Sequence, residues 1–367
     1  MRYRHSKKCR QRGAALVVAL LIFALCAALV IAMASEFNRY YQRGANILLS
    51  EQASAYLRGA EELATLALKT DYDAQDPDNP RDDLMEIWAQ TPPPYALDEG
   101  GWMMGCLQDL QGRFNLNALA ERVNRNDEEQ QDGQPRYTPA QAQFIRLLQA
   151  LGEPQVSEQQ ARQITESVTD WLDPDMEPAF EGAEDDFYFG LSPGYRTANR
   201  PMASVSELRA VAGMSPEIYL ALEPFVTVWP QTPAPMNIHT APATLLRSIN
   251  EDKDLNPLSE SEGVALMEQQ RPPGPGFADM DDFLNSAVLA GKQEQMEATK
   301  NLLGESSDYF LLSAEVEVAD RRMRLYSVLQ RTGPQIKAIA RGPGVTSVGL
   351  APPGDENTCT ITPSLDW

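Results

Sequence analysis

The chain has 367 residues and is strongly acidic, with 31 Lys and Arg against 52 Asp and Glu and a formal net charge of −21. Its length excludes a single small module, since one domain usually takes about 100–200 residues. Six of the basic residues precede the first apolar run, so the rest of the chain carries a net charge of −27. Because so acidic a surface repels phosphate backbones, we expect no nucleic-acid partner and favour divalent cations and basic surfaces as ligands.

The first apolar segment covers residues 14–34, AALVVALLIFALCAALVIAMA, and contains no charged residue. At about 1.5 Å per residue it spans a hydrocarbon core about 30 Å thick. Helical periodicity continues past its end, because apolar residues recur at three- and four-residue steps from Ala53 to Leu68. One helix about 80 Å long is therefore predicted from about residue 14 to residue 69. The basic residues ahead of it predict a cytoplasmic N-terminus and a periplasmic remainder.

A secretory signal peptide is the competing interpretation of the same segment. Ala32-Met33-Ala34 offers a small-x-small cleavage site, which would release the remainder of the chain from the membrane. The apolar run is longer than the usual h-region of about 7–15 residues. This length, with the continuing helical periodicity, favours a retained anchor.

The rest of the chain reads as strands that enclose a helical block. A Pro- and Asp-rich stretch, Asp71–Glu99, predicts a connecting loop, and Trp102–Leu110 predicts a strand. The predicted helices are Ala140–Leu151, Ser157–Leu172, Val205–Ala212, Pro216–Leu222, Pro242–Ile249 and Ser259–Gln270. The strand pattern returns in a hairpin of Tyr309–Val318 and Met323–Gln330, with Ile336–Ala340 as an edge strand. This order predicts a helical domain inserted into a small α+β domain.

The densest acidic cluster of the chain runs from Asp170 to Asp186. Hard cations such as Ca²⁺ bind six to eight oxygens from carboxylates and carbonyls in flexible loops. The candidate ligands are Asp170, Asp173, Asp175, Glu184, Asp185 and Asp186. On spacing alone a solvated acidic loop is favoured, because the pattern is not that of an EF-hand.

Other motifs give little support for an enzyme. Beyond the apolar segment there is one histidine, His239, and no nucleophile-elbow, phosphate-loop or dinucleotide-binding spacing. Two stretches, Ser206–Ala221 and Asn237–Ile249, look like degenerate helix-hairpin-helix units. Their neighbours are mostly acidic, so we interpret them as packing modules and not as phosphate-binding sites.

Cysteine usage leaves room for one disulfide. Cys9 lies in the basic leader and Cys26 in the apolar run, so Cys106 and Cys359 remain for the soluble part. They can pair if the compartment is oxidising. Two unpaired thiols far apart in space are the alternative.

The N-terminal segment resembles that of type IV pilin-like precursors, in which a short basic leader ends in glycine and an apolar helix follows directly. The matching residues are Gln11-Arg12-Gly13 and Ala14-Ala15-Leu16-Val17-Val18. The resemblance implies that a prepilin peptidase cleaves after Gly13 and leaves Ala14 as the mature N-terminus. Two positions depart from the common pattern, because Ala14 stands where Phe is usual and Val18 stands where Glu is usual.

An apolar residue at this position, Val18, resembles the pattern of the K-type minor pseudopilin of the type II (general) secretion pathway. A subunit at the tip of a filament has no neighbour above it to pair with a glutamate, and an unpaired carboxylate in hydrocarbon costs about 3 kcal/mol or more. The string GRFNLNAL at residues 112–119 and the D-W-x-D…G-A-E-D-D loop at residues 170–186 resemble the same family. The resemblance spans residues 13–340.

The family implies an α+β protein with a type IV pilin-like fold, in which a long N-terminal helix and a small antiparallel sheet carry a large inserted all-α domain with helix-hairpin-helix or SAM-like units. The boundaries that we expect are a leader at 1–13, a transmembrane helix at 14–35, its periplasmic continuation at 36–72, a pilin-domain loop and first strand at 73–118, the inserted domain at 119–304 with units at about 119–232 and 233–304, the C-terminal strands at 305–340 and a flexible tail at 341–367.

The same resemblance implies a non-enzymatic role in the inner membrane. The expected partners are the I- and J-type minor pseudopilins in a ternary tip complex, other pseudopilins, the prepilin peptidase and the inner-membrane secretion platform. It also raises the calcium interpretation of the Asp170–Asp186 loop above the solvated one, with one or two ions. Two alternatives stay open: a periplasmic metal-dependent hydrolase that is cleaved after Ala34, and a minor pilin of a type IV pilus.

Overall fold

The structure is a computed structural model that describes residues 14–343, apart from residues 78, 91, 99, 123–136, 272–273, 275 and 320. The predicted leader at 1–13 and residues 344–367 of the predicted tail lie outside the described residues. The chain divides into two compact units, Met1–Ala55 and Tyr56–Trp367.

The first unit contains the N-terminal part of one long helix, α1, which runs from Ala14 to Ala74. Ala and Leu, which are strong helix formers, dominate its first turns, and the apolar side chains there are exposed. By length and composition α1 can cross a membrane. The sequence predicted this helix, although it ends at Ala74 and not near residue 69.

The second unit contains an antiparallel sheet with the strand order β1-β2-β7-β8-β9. The strands of the unit are β1 Tyr95–Ala96, β2 Trp102–Asp109, β3 Phe114–Asn115, β4 Val226–Thr227, β5 Met236–Asn237, β6 Leu303–Gly304, β7 Tyr309–Val318, β8 Arg321–Thr332 and β9 Gln335–Pro343. Two short parallel pairs, β3 with β4 and β5 with β6, lie outside the main sheet.

The register of the sheet shows where the helical block is inserted. Strand β2 pairs with β7 along its whole length, from Trp102 opposite Glu317 to Asp109 opposite Phe310. The chain therefore leaves the sheet after Asp109 and returns at Tyr309 at the same end, with the helical block between these points. The pilin-like fold with an inserted helical domain, as predicted from the sequence, is confirmed.

The inserted block is built from short helices around one core. They are α2 Pro139–Ala150, α3 Glu158–Leu172, α4 Asp185–Phe189, α5 Pro216–Leu222, α6 Ala243–Leu246, α7 Glu260–Gln270, α8 Met280–Leu284 and α9 Glu297–Lys300, with 3-10 turns at Leu116–Ala120, Val205–Ala210, Glu223–Phe225 and Gln293–Gln295. A further 3-10 turn, Ile87–Ala89, precedes β1 and lies outside the block. Thr138 caps α2 with a capping box, and Ser157 caps α3. Helices α2 and α3 pack together and bury Phe144, Ile164 and Val168 completely.

The first helix-hairpin-helix segment packs as expected. Gly213 has a φ of +80° between the 3-10 turn and α5, a backbone conformation that favours glycine. Leu208, Ile218 and Leu222 on its two sides are buried in the core of the block. The segment therefore contributes packing, in line with the interpretation from sequence.

Two local predictions need correction. The tail was predicted to begin at residue 341, but β9 continues to Pro343, and the guanidinium of Arg341 binds both carboxylate oxygens of Glu61 at 2.7 and 2.8 Å. The edge strand was also predicted to end at Ala340. The sequence pattern did not indicate the last residues of β9 for two reasons. A register shift at Val328 and Leu329 breaks the alternation along the β8–β9 pair, and Gly and Pro at the end of β9 are unusual in strands.

Candidate metal centre

The end of α3 and the loop that follows it bring three of the predicted ligands together. Ligand oxygens of Asp173, Asp175 and Glu184 all lie within 4.8 Å of one another, and we name these residues the loop group. Asp173 directly follows the last residue of α3 and its backbone N–H donates to Thr169. The next residue is Pro174, which prevents the helix from continuing.

The other predicted ligands have different surroundings. Asp170 is fully buried on α3 beside the loop group, and its carboxylate accepts from the backbone N–H of Ala179 at 3.1 Å. Asp185 accepts from the N–H and hydroxyl of Thr197 at 3.0 and 2.9 Å. Asp186 is exposed at the start of α4. Neither Asp185 nor Asp186 belongs to the loop group.

An arginine that sequence reasoning missed lies among these carboxylates. The guanidinium of Arg122 is 2.6 Å from Asp170 Oδ1, pairs with Asp173 and is 3.6 Å from Asp175 Oδ1. It also donates to the backbone carbonyl of Glu177 at 2.9 Å. Arg122 is far from the cluster in sequence, so no spacing rule signals it. Its side chain brings one positive charge to a site with at least four carboxylates.

Two buried oxygens of the loop group have no hydrogen-bond donor among the described residues. They are Oδ1 of Asp173 and Oε1 of Glu184, whereas Oδ2 of Asp173 faces the guanidinium of Arg122. A buried acceptor without a donor costs about 1–3 kcal/mol, and more when it is charged. A cation that takes several carboxylate oxygens would satisfy them, so these residues fit a calcium ion.

Burial disfavours the ionised forms of these acids. It raises the pKa of Glu184 to about 7, and the charge of nearby Asp170 adds to this. Burial also raises the pKa of Asp170 to about 6, although the N–H of Ala179 and the charge of Arg122 oppose the shift. The pKa of Asp173 is raised by burial as well. Desolvation is therefore the main reason that these acids are harder to ionise, and Arg122 offsets part of it at Asp170 and Asp173.

Contacts with α3 hold the backbone of the loop that follows it in place. A side chain on Gly182 would overlap the carboxylate of Asp170, so the loop approaches α3 as only glycine permits. The N–H of Glu181 donates to Glu166 at 2.6 Å. Tyr188 on α4 is fully buried and packs edge-on against Trp171, with 5.5 Å between ring centroids.

A second acidic group, which the sequence did not suggest, lies where α1 ends. Ligand oxygens of Asp71, Asp82 and Glu86 lie within 4.8 Å of one another, and we name these residues the junction group. Arg331 of β8 pairs with Asp82 and lies 3.5 Å from Asp71. Burial raises the pKa of Asp71 to about 6 and that of Glu86 to about 7.

The remaining predicted site residues are distributed over the chain. Gly13 lies outside the described residues, and Ala14 is the first residue of α1. Cys106 on β2 is buried and disulfide-bonded, whereas Cys359 lies outside the described residues, so their pairing stays a prediction. His239 is buried, with Nε2 3.5 Å from Glu305, and burial lowers its pKa to about 4. A histidine buried in this way fits a structural role.

The fold is that of a pilin-like subunit with an apolar N-terminal helix and an inserted helical domain. The family model of the type II secretion system (T2SS) protein K matches residues 112–231. Type II secretion system protein K of Klebsiella pneumoniae is 33% identical over 340 residues, which cover 92% of this chain and 97% of that protein. The protein of the same name from Pseudomonas aeruginosa is 32% identical over 356 residues, with 95% and 97% covered.

A solved structure agrees with these relatives. A chain in the crystal structure of the GspK-GspI-GspJ complex from the enterotoxigenic Escherichia coli type 2 secretion system superimposes with a TM-score of 0.68 and 28% identity, over 83% of this chain and 100% of that chain. The chain belongs to the type II secretion system protein K family, which confirms the resemblance to the K-type minor pseudopilin. Its relatives are named as secretion-system components and not as enzymes.

Proposed function

We propose that the chain is the minor pseudopilin at the tip of the pseudopilus, where it assembles with I- and J-type minor pseudopilins and starts assembly for the export of folded proteins. The observation that carries this proposal is the match to a chain of the GspK-GspI-GspJ complex along that chain's full length. Other pseudopilins and the inner-membrane platform would then contact α1 from the side of the inner membrane.

Two features of α1 support a place at the tip. Val18 puts no charge into the apolar segment, so the helix needs no partner amine above it. Within the second unit, Leu57, Ala64 and Leu68 are buried, whereas Leu63 and Leu66 on another face of the helix are more than half exposed. An exposed apolar face on an amphipathic helix suits packing against helices of partner subunits.

Disulfide crosslinking in membranes tests the partners. The full chain with Leu63→Cys or Leu66→Cys would be expressed with I- and J-type subunits that carry a cysteine at the facing helix position. We expect crosslinks to those subunits from both positions and none from Leu220→Cys, which is equally exposed in the inserted block. Equal crosslinking from Leu220→Cys would argue against the helix interface.

Processing is the second part of the proposal. A peptidase cut after Gly13 would leave Ala14 as the N-terminus and keep the membrane anchor, which is how the protein would stay in the inner membrane with its folded part in the periplasm. The intact mass and N-terminal sequence of protein from membranes of cells with a prepilin peptidase test this. A start after Ala34 would remove the anchor, contradict the pseudopilin role and favour the hydrolase alternative.

We also propose that the loop group binds calcium. Asp173, Asp175 and Glu184 would hold the ion, with Asp170 beside them, and the orphaned oxygens of Asp173 and Glu184 support the assignment. The bound ion would neutralise the acidic loop and tie it to the end of α3. Arg122 supplies the positive charge at this place, so we expect the ion and this guanidinium to compete for the same carboxylates.

A further inference from the structure

The loop that carries the calcium candidates also exposes large apolar side chains. Met176, Phe180, Phe187, Phe189 and Leu191 are 67, 77, 51, 52 and 41% exposed. In the described part of the inserted block, the remaining exposed large apolar side chains are Tyr195, Leu220 and Val264. We name residues 176–191 the apolar loop. Concentrated exposed apolar surface of this kind marks interaction sites in soluble domains.

The apolar loop does not have the freedom to fold these side chains inward. The N–H groups of Ala179 and Glu181 donate to carboxylates on α3. Tyr188, which lies between two of the exposed phenylalanines, is fully buried, and its hydroxyl accepts from the backbone N–H of Ala212 at 3.1 Å. The side chains are therefore presented on a fixed backbone, which lowers the entropy lost when a partner binds.

The charge around the apolar loop restricts what can bind there. Between Asp170 and Tyr195 the chain has eight acidic residues and no Lys or Arg, although the guanidinium of Arg122 lies among these acids. The nearest basic side chain that follows is Arg196, whose guanidinium lies 5.0 Å from the ring centroid of Phe189. A second copy of the chain would bring the same negative charge, and the headgroups of an anionic membrane are repelled for the same reason.

We propose that the apolar loop is a docking surface for another protein that presents apolar side chains flanked by Lys or Arg. Its apolar residues supply the buried contact, and the surrounding carboxylates select a basic rim and raise the association rate. This inference rests on the exposed side chains and the acidic residues of the inserted block and does not depend on the tip position.

The test uses the full chain in zwitterionic nanodiscs and two dye-labelled helical peptides of equal length. Both peptides carry Leu on one face, and the other face carries Lys in one and Glu in the other. The variant Phe180→Ser/Phe187→Ser/Phe189→Ser removes apolar surface from the loop, and Leu220→Ser/Val264→Ser is the matched control elsewhere in the block. Binding is followed by fluorescence anisotropy, with empty nanodiscs subtracted.

We expect the Lys peptide to bind the unaltered chain and the control variant alike, and the triple variant at least about tenfold more weakly, because the phenylalanines no longer contribute buried area. The Glu peptide should bind at least about tenfold more weakly than the Lys peptide. The single variant Phe180→Ser, at the most exposed position, should show a smaller loss and guards against misfolding of the triple variant.

Three outcomes would overturn the proposal. The triple variant could bind the Lys peptide as well as the unaltered chain does, which would leave only unspecific charge attraction. Both peptides could bind equally, which would remove the charge selection. Vesicles of anionic lipid could bind the full chain in a manner that the triple variant abolishes, which would make the loop a membrane contact.

Discussion

The loop group and the junction group are both acidic triads with an arginine and with two buried acids each, yet they differ in how their oxygens are satisfied. In the junction group, Asp82 accepts from Arg331, from the N–H of Ser307 at 2.7 Å and from Gln75 at 3.0 Å. In the loop group, oxygens of Asp173 and Glu184 have no donor among the described residues. The number of acids therefore does not distinguish the two groups, whereas the unsatisfied oxygens of the loop group do.

The junction group belongs to a network that joins the sheet to the inserted block. Asp109, at the end of β2, accepts from Thr240 at 2.6 Å, Ser307 at 2.6 Å and Asn237 at 3.0 Å. Asn237 also donates to the backbone carbonyl of Asp82 at 2.9 Å. Protein donors therefore fill the places that a cation would take, and the network holds the two ends of the insertion at the sheet.

The largest effect that separates the two groups is expected from Arg331→Met. This change leaves the buried carboxylates of Asp82 and Asp71 without their cation, so the free energy of unfolding should fall by about 3–5 kcal/mol. Urea unfolding of the full chain measures it. Arg322→Met is the control, because its partner Glu317 forms a half-exposed pair, and it should cost about 1 kcal/mol or less. A loss from Arg331→Met no larger than the control would make the junction group dispensable.

The next effect concerns calcium and should be confined to the loop group. At a calcium concentration about 100 times the dissociation constant, the ion should stabilise the unaltered chain by about 2.7 kcal/mol, and Asp173→Asn should abolish this gain. Asp186→Asn should keep it, because Asp186 lies outside the loop group. Thermal unfolding with calcium or with a chelator measures both variants. Equal loss in both would show that the ligand set extends to the start of α4, as the sequence pattern suggested.

A smaller effect is expected from Arg122→Gln, which removes the competing charge. Calcium should then bind about tenfold more tightly, a gain of about 1.4 kcal/mol, while the calcium-free protein becomes less stable. Terbium luminescence sensitised by Trp171, the neighbour of Asp170, reports binding directly. Unchanged affinity would mean that Arg122 and the ion occupy separate positions, and absence of binding in both forms would remove the calcium proposal itself.

Local patterns were sufficient for much of the fold. Helix α1, strands β2, β7 and β8 and the capped helices α2 and α3 follow from periodicity and cap residues, and the order of strand and helix patterns predicted the insertion. The roles of two neighbouring asparagines depend on the fold and not on local pattern. Asn115 caps the 3-10 turn, whereas Asn117 is buried with its side chain bound to Met202 and Val228.

The parts that the sequence did not predict depend on contacts between distant residues. Arg122 and Arg331 reach carboxylates that lie tens to hundreds of positions away, and no spacing rule connects them. The stretch of Asp71 to Glu99 was interpreted as a connecting loop because it is rich in Pro and Asp. Asp82 in this stretch is buried because it contacts Ser307 and Arg331, which only the folded chain brings close to it.

The smallest expected effect is the pH dependence that Glu86 gives to the junction group. The pKa of Glu86 is raised to about 7 by burial, with Asp71 and Asp82 close to it and with Trp88 donating to it at 2.7 Å. Because the folded state then binds more protons than the unfolded state, the free energy of unfolding should fall as the pH rises from about 4.5 to 7. Glu86→Gln should remove about 1 kcal/mol of this fall, a value reduced for the partial exposure of the side chain.

Urea unfolding of the chain and of this variant at pH 4.5 and 7.5 measures the difference, and other titrating groups cancel between the two proteins. Glu262 provides the matched comparison. The N–H and hydroxyl of Ser259 donate to its carboxylate at 2.8 and 2.6 Å, and these bonds lower the pKa of Glu262. Glu262→Gln should therefore act in the opposite direction and make stability rise less steeply with pH. If both variants shifted the pH dependence in the same direction, burial would not be what distinguishes the junction group from an ordinary helix cap.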